Sequence, residues 1–321
     1  MDEMRTIRYG LLVSVPSESR ARARSAEPGY SIRVASRLTQ IEPDTLRMWE
    51  RRYGFPVPTR TAGGSRVYTE DDIQTLLLVR RAMKVGYRPG EVVGRKPQEI
   101  AQMIARSGPA VEVPLEQPAS LDAILAALGR DDAKLVRQEI KNLAVVLGPK
   151  RFLTELAYPL AQRVGDLWST GKLQVRHEHL LSECLTTQLR VLLAAFEDAQ
   201  EGPNVLLTTL PDELHGLGLT MIALYCAVHQ LVPRLLGLNM PPDQIVSAAK
   251  ALDVAAVGLS VVYPGDAARA AKQVKWIAAE LPRRVRVWVG GQSAPLLGIK
   301  GDAVDIVQTW SDLDEVIAAL R

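Results

Sequence analysis

Cysteine, histidine and aromatic residues are all scarce in this chain. Its 321 residues include two cysteines, four histidines and three phenylalanines, and aromatic residues make up 5%. Two cysteines, Cys184 and Cys226, cannot build a disulfide scaffold or a cysteine-rich zinc site, and their scarcity fits a reducing cytosol. No apolar run approaches the roughly eighteen residues that would span a bilayer. The longest near the start, Gly10 to Val15, is too short for a signal peptide. A cytoplasmic protein with no membrane partner is therefore expected. Net charge is also small, since 39 Lys and Arg against 36 Asp and Glu leave +3. What remains is ordinary: 47% apolar and 23% charged residues exclude a mainly disordered chain, and the length suggests two or three domains.

The small total hides an asymmetry. Residues 1–96 hold 18 Lys/Arg and 11 Asp/Glu, a net of +7, while residues 97–321 hold the other 21 and 25, a net of −4. A nucleic-acid-binding module joined to a regulatory module has this distribution. A solvated surface with a chance excess would give the same totals, so spacing has to decide.

The pattern along the chain predicts a multidomain α and α/β protein. Residues 1–29, with Arg20, Arg22 and Arg24 among Ser, Ala and Pro, read as a flexible arm. Residues 30–96 read as a winged helix-turn-helix, and 97–118, with three prolines between Arg106 and Pro118, as a linker. Over 119–202 the apolar residues recur at three and four (Leu121, Ile124, Leu125, Leu128), with further helices from Pro149 and Val175, as in a four-helix bundle. Over 203–321 short apolar runs alternate with amphipathic helices, which predicts a Rossmann-like parallel sheet covered on both faces.

In the N-terminal module, Ser31 is a plausible cap for one short helix and Pro43 opens a second. On the second, Arg47 and Arg51 share a face, and Arg52 and Tyr53 end it. Guanidinium groups so presented can read guanine edges and grip phosphates. Gly63 and Gly64 permit a hairpin tip, with Arg60, Arg66 and Tyr68 beside it, and Thr69 with Asp72 caps a long helix. The run LRMWERRYGFPVPTRTAGGSRVYTEDDI resembles the winged helix-turn-helix of mercury-resistance-type (MerR) regulators. The resemblance implies that Arg47, Arg51, Arg52, Tyr53, Arg60, Arg66 and Tyr68 contact double-stranded operator DNA.

In the C-terminal third, the first strand is followed by PDELHGLGL (211–219), at the sheet edge where doubly wound folds bind ligands. Glu213 could fix the tautomer of His215 through one ring nitrogen, although a lone histidine is more often structural. Gly216 and Gly218 open the next helix, Ser260 closes the third strand, and Gly290-Gly291 after the fourth offers bare backbone. E-x-H-x-x-G, S-x-V and G-G in this order resemble the cobalamin-binding domain of methionine synthase and the mutases. The resemblance implies cobalamin as cofactor, His215 as lower cobalt ligand, Ser260 against the displaced base and the glycines lining its slot. Glu213 and Val262 depart from the commoner Asp and Leu.

Upstream, Trp168 and the pair Glu178-His179 bracket a predicted helix-loop-helix. Together with the cobalamin pattern they resemble the cap of light-sensing, CarH-type repressors. That resemblance implies a non-enzymatic repressor that binds adenosylcobalamin, with Trp168, Glu178 and His179 on the upper-ligand side and a cofactor-dependent homo-oligomer, dimer or tetramer. One departure matters. The position after the tryptophan, a second cobalt-ligating histidine in the light sensors, is Ser169 here, and His177 is the nearest replacement in sequence. The alternative is therefore a light-independent regulator whose sensor has lost cobalamin and binds another ligand or a partner protein. A cobalamin enzyme is disfavoured, because a substrate barrel would need about 250 residues. Cys184, Cys226 and His229 read as packing residues.

Overall fold

The computed structural model describes residues 29–61, 63–106, 121–197, 202–263, 265–299, 301 and 303–320. All of the expected arm but Gly29, and residues 107–118 of the expected linker, lie outside the described residues. The described residues fall into two compact units. A helical unit takes those within Glu27–Val164 and Leu173–Ala199, and a sheet unit takes Gly165–Lys172 with those within Gln200–Arg321.

The helical unit opens with β1 (Tyr30–Ser31) and α1 (Ile32–Thr39), whose cap Ser31 accepts from the Val34 amide. Helix α2 (Pro43–Tyr53) starts on proline, whose fixed φ suits a first turn, and stops at Gly54 in the left-handed region (φ 68°). Strands β2 (Thr59–Arg60) and β3 (Arg66–Tyr68) form the wing, and the sheet order is β1-β3-β2, all antiparallel. Helix α3 (Glu70–Lys84) begins with the reciprocal Thr69–Asp72 capping box. Tyr30, Leu46, Trp49, Tyr68, Ile73 and Leu76 are fully buried and form the core of this module.

After the short α4 (Pro89–Val92), the structure corrects the expected linker. Residues Pro97–Arg106 form helix α5, packed on α3 through Ile100, Ala101 and Ile104. The three prolines behind that expectation all follow Arg106, where α5 ends, and Pro97 sits at the helix's first turn, where a proline has no amide to lose. The Tyr87 hydroxyl donates to the Met103 carbonyl at 2.9 Å and holds α5 in place.

The bundle follows as α6 (Leu121–Gly129), α7 (Ala133–Arg151), a π-helical stretch (Phe152–Ala157), α8 (Tyr158–Ser169) and α9 (Val175–Ala194). Gly148 (φ 70°, ψ 173°) and Pro149 break α7, where the sequence expected a new helix to start. The break exposes helix-end carbonyls, and Gln74 of α3 donates to that of Leu147 at 2.8 Å. Winged helix and bundle are thereby one packed body.

In the sheet unit, β4 (Asn204–Thr209), β5 (Val232–Gly237), β6 (Ala256–Ser260), β7 (Arg286–Gly290) and β8 (Val304–Val307) form a parallel sheet of order β5-β4-β6-β7-β8. Helices α10 (Leu217–Val228), α11 (Pro242–Ala251), α12 (Ala267–Glu280) and α13 (Trp310–Ala318) link and follow the strands. Leu206, Val257, Leu259, Val287 and Val289 pack with Ile245, Val274 and Ile277 on one face. The order reverses between β4 and β6, the switch point at which a doubly wound sheet opens a crevice. Register aligns Thr209 with Ser260 and Ser260 with Gly290, so three strand ends form one row at that crevice.

Candidate functional site

The loop between β4 and α10 is built around a buried carboxylate. Glu213 is 2% exposed, and its Oε2 accepts from the amides of Val262 (2.7 Å) and Tyr263 (2.6 Å), beyond the end of β6. Its Oε1 accepts from the His215 amide (3.0 Å) and lies 2.5 Å from His215 Nδ1. Burial works to raise the Glu213 pKa, but the hydrogen bonds from His215, Tyr263 and Val262 outweigh it and hold the carboxyl below its ordinary value. An ionised Glu213 places the His215 proton on Nδ1, which leaves the lone pair on Nε2, the form of imidazole that binds a metal. The imidazole is half-exposed, whereas the carboxylate that orients it is buried.

Thr209 completes the loop: its hydroxyl donates to the Glu213 carbonyl (2.7 Å) and accepts from the Asn239 amide (2.8 Å). Exposed apolar residues share these loops: Leu214 next to His215, Leu238 near Gly216, and Tyr263, whose amide binds Glu213. A cavity of about 240 Å³ behind this edge has Glu213 and Ser260 in its wall, beside the Asp212–Arg269 ion pair. The nearest atom to a β-carbon built at Gly218 would be Ser260 Oγ, 4.0 Å away, so the start of α10 faces the end of β6 with only that hydroxyl close by. A β-carbon at Gly216 would come within 3.2 Å of Leu238.

Gly291 also has a packing reason to be glycine. A β-carbon on Gly291 (φ 97°) would lie 2.5 Å from the Val261 carbonyl oxygen, so the glycine is required by the chain's own neighbouring loop. That loop is stitched by Val261 N to Gly290 O (2.8 Å) and by Ser293 Oγ to Val262 O (2.7 Å). Sequence reasoning missed Thr209 and the amides of Val262 and Tyr263. Backbone donors carry no side-chain signature, and only their position just past a strand end could have suggested them.

Of the expected cap residues, Trp168 is half-buried near the end of α8 and belongs to the sheet unit. Glu178 and His179 sit in the first turns of α9 in the helical unit, paired at 2.6 Å, and Ser182 donates to the same carboxylate at 2.7 Å. The Ser169 hydroxyl donates to the Asp166 carbonyl (2.9 Å), ending α8. His177 is structural: Nδ1 accepts from the Gln174 amide (3.0 Å) and Nε2 faces Asp131 at 3.1 Å. His229 stacks on Tyr225 with ring centroids 4.4 Å apart, and Cys184 and Cys226 are buried.

In the winged module, Arg47, Arg51, Arg52 and Arg60 are exposed. Arg47 pairs with Asp44 (2.5 Å), Arg52 lies over the Tyr53 ring (5.3 Å), and Arg60 donates to the Gly64 carbonyl at the wing tip (3.1 Å). Tyr68 does not reach the surface as expected. Strand periodicity puts Arg66 and Tyr68 on one face, and Arg66 is drawn to Glu50 of α2 (2.7 Å) while Tyr68 is fully buried. Tyr68 therefore supports the interface from below, and Arg66 braces the wing against α2.

Among the described residues, no three His, Cys, Asp or Glu side chains converge as a metal site, and no helix is long and apolar enough to cross a membrane. His215 could therefore serve a metal only as a single ligand to an ion that brings its other ligands with it.

Comparison with known proteins fits this division. Residues 30–96 match the family of MerR HTH regulatory proteins, and residues 120–193 and 203–317 match two B12 binding domain families. The chain is 31% identical over 272 residues to the HTH-type transcriptional repressor CarH of Myxococcus xanthus, covering 84% of this chain and 91% of that one. It is 28% identical over 235 residues to the repressor CarA of the same organism, covering 72% and 76%. The structure resembles the monomethylamine corrinoid protein of Methanosarcina barkeri, with a TM-score of 0.50 at 14% identity over 61% of this chain and 96% of the other, a likeness of fold.

Proposed function

Because the chain belongs to the family of CarH and CarA HTH-type transcriptional repressors, we propose that adenosylcobalamin sets its oligomeric state and thereby its hold on operator DNA. At the coarser level it is a DNA-binding, cobalamin-linked transcriptional regulator. The observation that carries the finer reading is the Glu213–His215 pair at the switch point of the sheet. His215 is the lower cobalt ligand in this reading, oriented by Glu213, with Ser260, Gly216, Gly218 and Gly290-Gly291 toward the displaced base. Supporting this reading, Gly218 faces Ser260 Oγ across the space between α10 and the end of β6. When bound, cobalamin supplies a cobalt–carbon bond that light can break. Trp168, Glu178 and His179 are the residues assigned to the upper ligand, and Arg47, Arg51, Arg52 and Arg60 to DNA. As a regulator it needs no catalytic residue, and none is assigned.

Ligand binding shifts an assembly equilibrium only through a difference in affinity between its states. The test loads the full chain with adenosylcobalamin in darkness, then records gel-filtration mass and operator binding before and after green light. A change in both is expected. No change in either would sink the light-switch reading, leaving a response to cofactor supply. Ser169, already bonded to Asp166, favours that second outcome, since a hydroxyl is a poor ligand for cobalt(III). An absorption titration separates the third possibility: His215→Ala should abolish a histidine-ligated spectrum, while a wild-type chain that takes up no cobalamin has lost the cofactor.

A further inference from the structure

The helical unit holds a second cavity that neither cofactor nor operator reading uses. It has a volume of about 710 Å³ and lies between α1 and α3 of the winged module and α7 and α9 of the bundle. Its wall carries Arg37, Arg80, Arg81 and Lys84 from one side and Arg137 and Lys141 from the other, against the single acid Glu183. Among the described residues, Arg37, Arg80, Lys84, Arg137 and Lys141 form no ion pair. Arg37 donates to the Glu197 carbonyl and Arg80 to the Thr39 carbonyl and the Gln40 side chain, neutral partners that leave the charge uncancelled. Leu77, Ile140 and Leu192 line the interior with apolar surface.

A solvated charged face would scatter such cations over a convex surface. Here cations from three separate segments, on α1, α3 and α7, converge on one concavity, whose apolar lining concentrates the field. Cations from both sides face the same cleft, so a multivalent anion seated there would meet positive charge from each. The volume suits a ligand of drug size, and the apolar lining suits one that carries a ring beside its charges.

We propose that this cleft binds an organic polyphosphate, of the class of nucleoside di- and triphosphates, and that the bound anion braces the winged helix against the bundle. The same phosphate chemistry could come from the DNA backbone, and the test separates the two sources. The full-length chain, free of cobalamin, is titrated by calorimetry with ATP, with inorganic tripolyphosphate and with a double-stranded oligonucleotide lacking the operator. The variants are Lys84→Glu with Lys141→Glu, both exposed in the wild type, and Arg51→Glu on the recognition helix as control. Expected is saturable binding of ATP, tighter than that of tripolyphosphate. The double variant should weaken it by roughly tenfold or more, and Arg51→Glu should leave it unchanged. ATP should also raise the unfolding temperature of the wild type and not of the double variant. The proposal is overturned if ATP does not bind, if it binds equally to the double variant, or if that variant loses only oligonucleotide affinity, which would assign the cleft to DNA phosphates.

Discussion

At the residue scale, Glu213 decides what His215 can do. Each of its oxygens accepts from donors that need a carboxylate: two backbone amides at Oε2, and an amide and a ring nitrogen at Oε1. A glutamine has the same size but must turn an NH2 toward one of these sets, leaving buried donors facing a donor. Glu213→Gln is therefore expected to weaken cobalamin binding by roughly ten- to a hundredfold while the sheet stays folded. Absorbance titration with circular dichroism as control checks this; unchanged affinity would remove Glu213 from the site. Gly291→Ala is a test of packing, because its φ of 97° and the Val261 oxygen at 2.5 Å both oppose a side chain. It should cost about 1–3 kcal/mol, read from the urea midpoint. Glu213 and His215 were legible in the sequence because a strand-end loop has few reasons to hold an acid and an imidazole two residues apart. Tyr68 was misread because a short strand beside a glycine turn looks the same from either face, and only the Arg66–Glu50 pair shows which face meets α2.

At the scale of elements, the joint between α3 and the broken α7 has its own titration. Glu70, first residue of α3, accepts from the Tyr30 hydroxyl, and a β-carbon at Gly148 would collide with its carboxylate. Its other oxygen has no hydrogen-bond partner among the described residues. Burial dominates and raises the carboxyl to about 7 from 4.5, against the lowering effects of Tyr30, Lys150 and Arg151. Below pH 4.5 the group is protonated in folded and unfolded chains alike. As pH rises from there to about 7, the unfolded chain ionises first, so stability falls across that window and stays reduced above it. The difference amounts to about 3 kcal/mol. Glu70→Gln should thus be the more stable protein at pH 8 and match the wild type near pH 4.5, by thermal unfolding at both; parallel pH profiles would show that Glu70 is already charged when folded. The capping box at Thr69, the helix start at Pro149 and the strand–helix alternation were all legible, because each is local chemistry. Helix α5 was not, because its anchors, the face of α3 and the hydroxyl of Tyr87, are tertiary.

At the scale of the whole molecule, the small net charge is a cancellation between a +7 N-terminal third and a −4 remainder. If the first third alone meets phosphate, operator affinity should fall linearly in log–log form with salt, by about 0.9 per phosphate contact. Arg51→Ala should lower that slope by about 1 and leave cobalamin uptake untouched, since it stands on a helix of the other unit. His215→Ala makes the opposite prediction: the cobalamin spectrum changes, while the salt slope of the cofactor-free protein stays at its wild-type value. The pair of measurements matters more than either alone, because a general loss of folding would move both readouts in both variants. Should His215→Ala alter the cofactor-free slope, sensing and DNA binding would share residues, and control would have to run through the fold itself. If each variant moves only its own readout, the cofactor reaches DNA only by changing which assembly of chains presents the arginines.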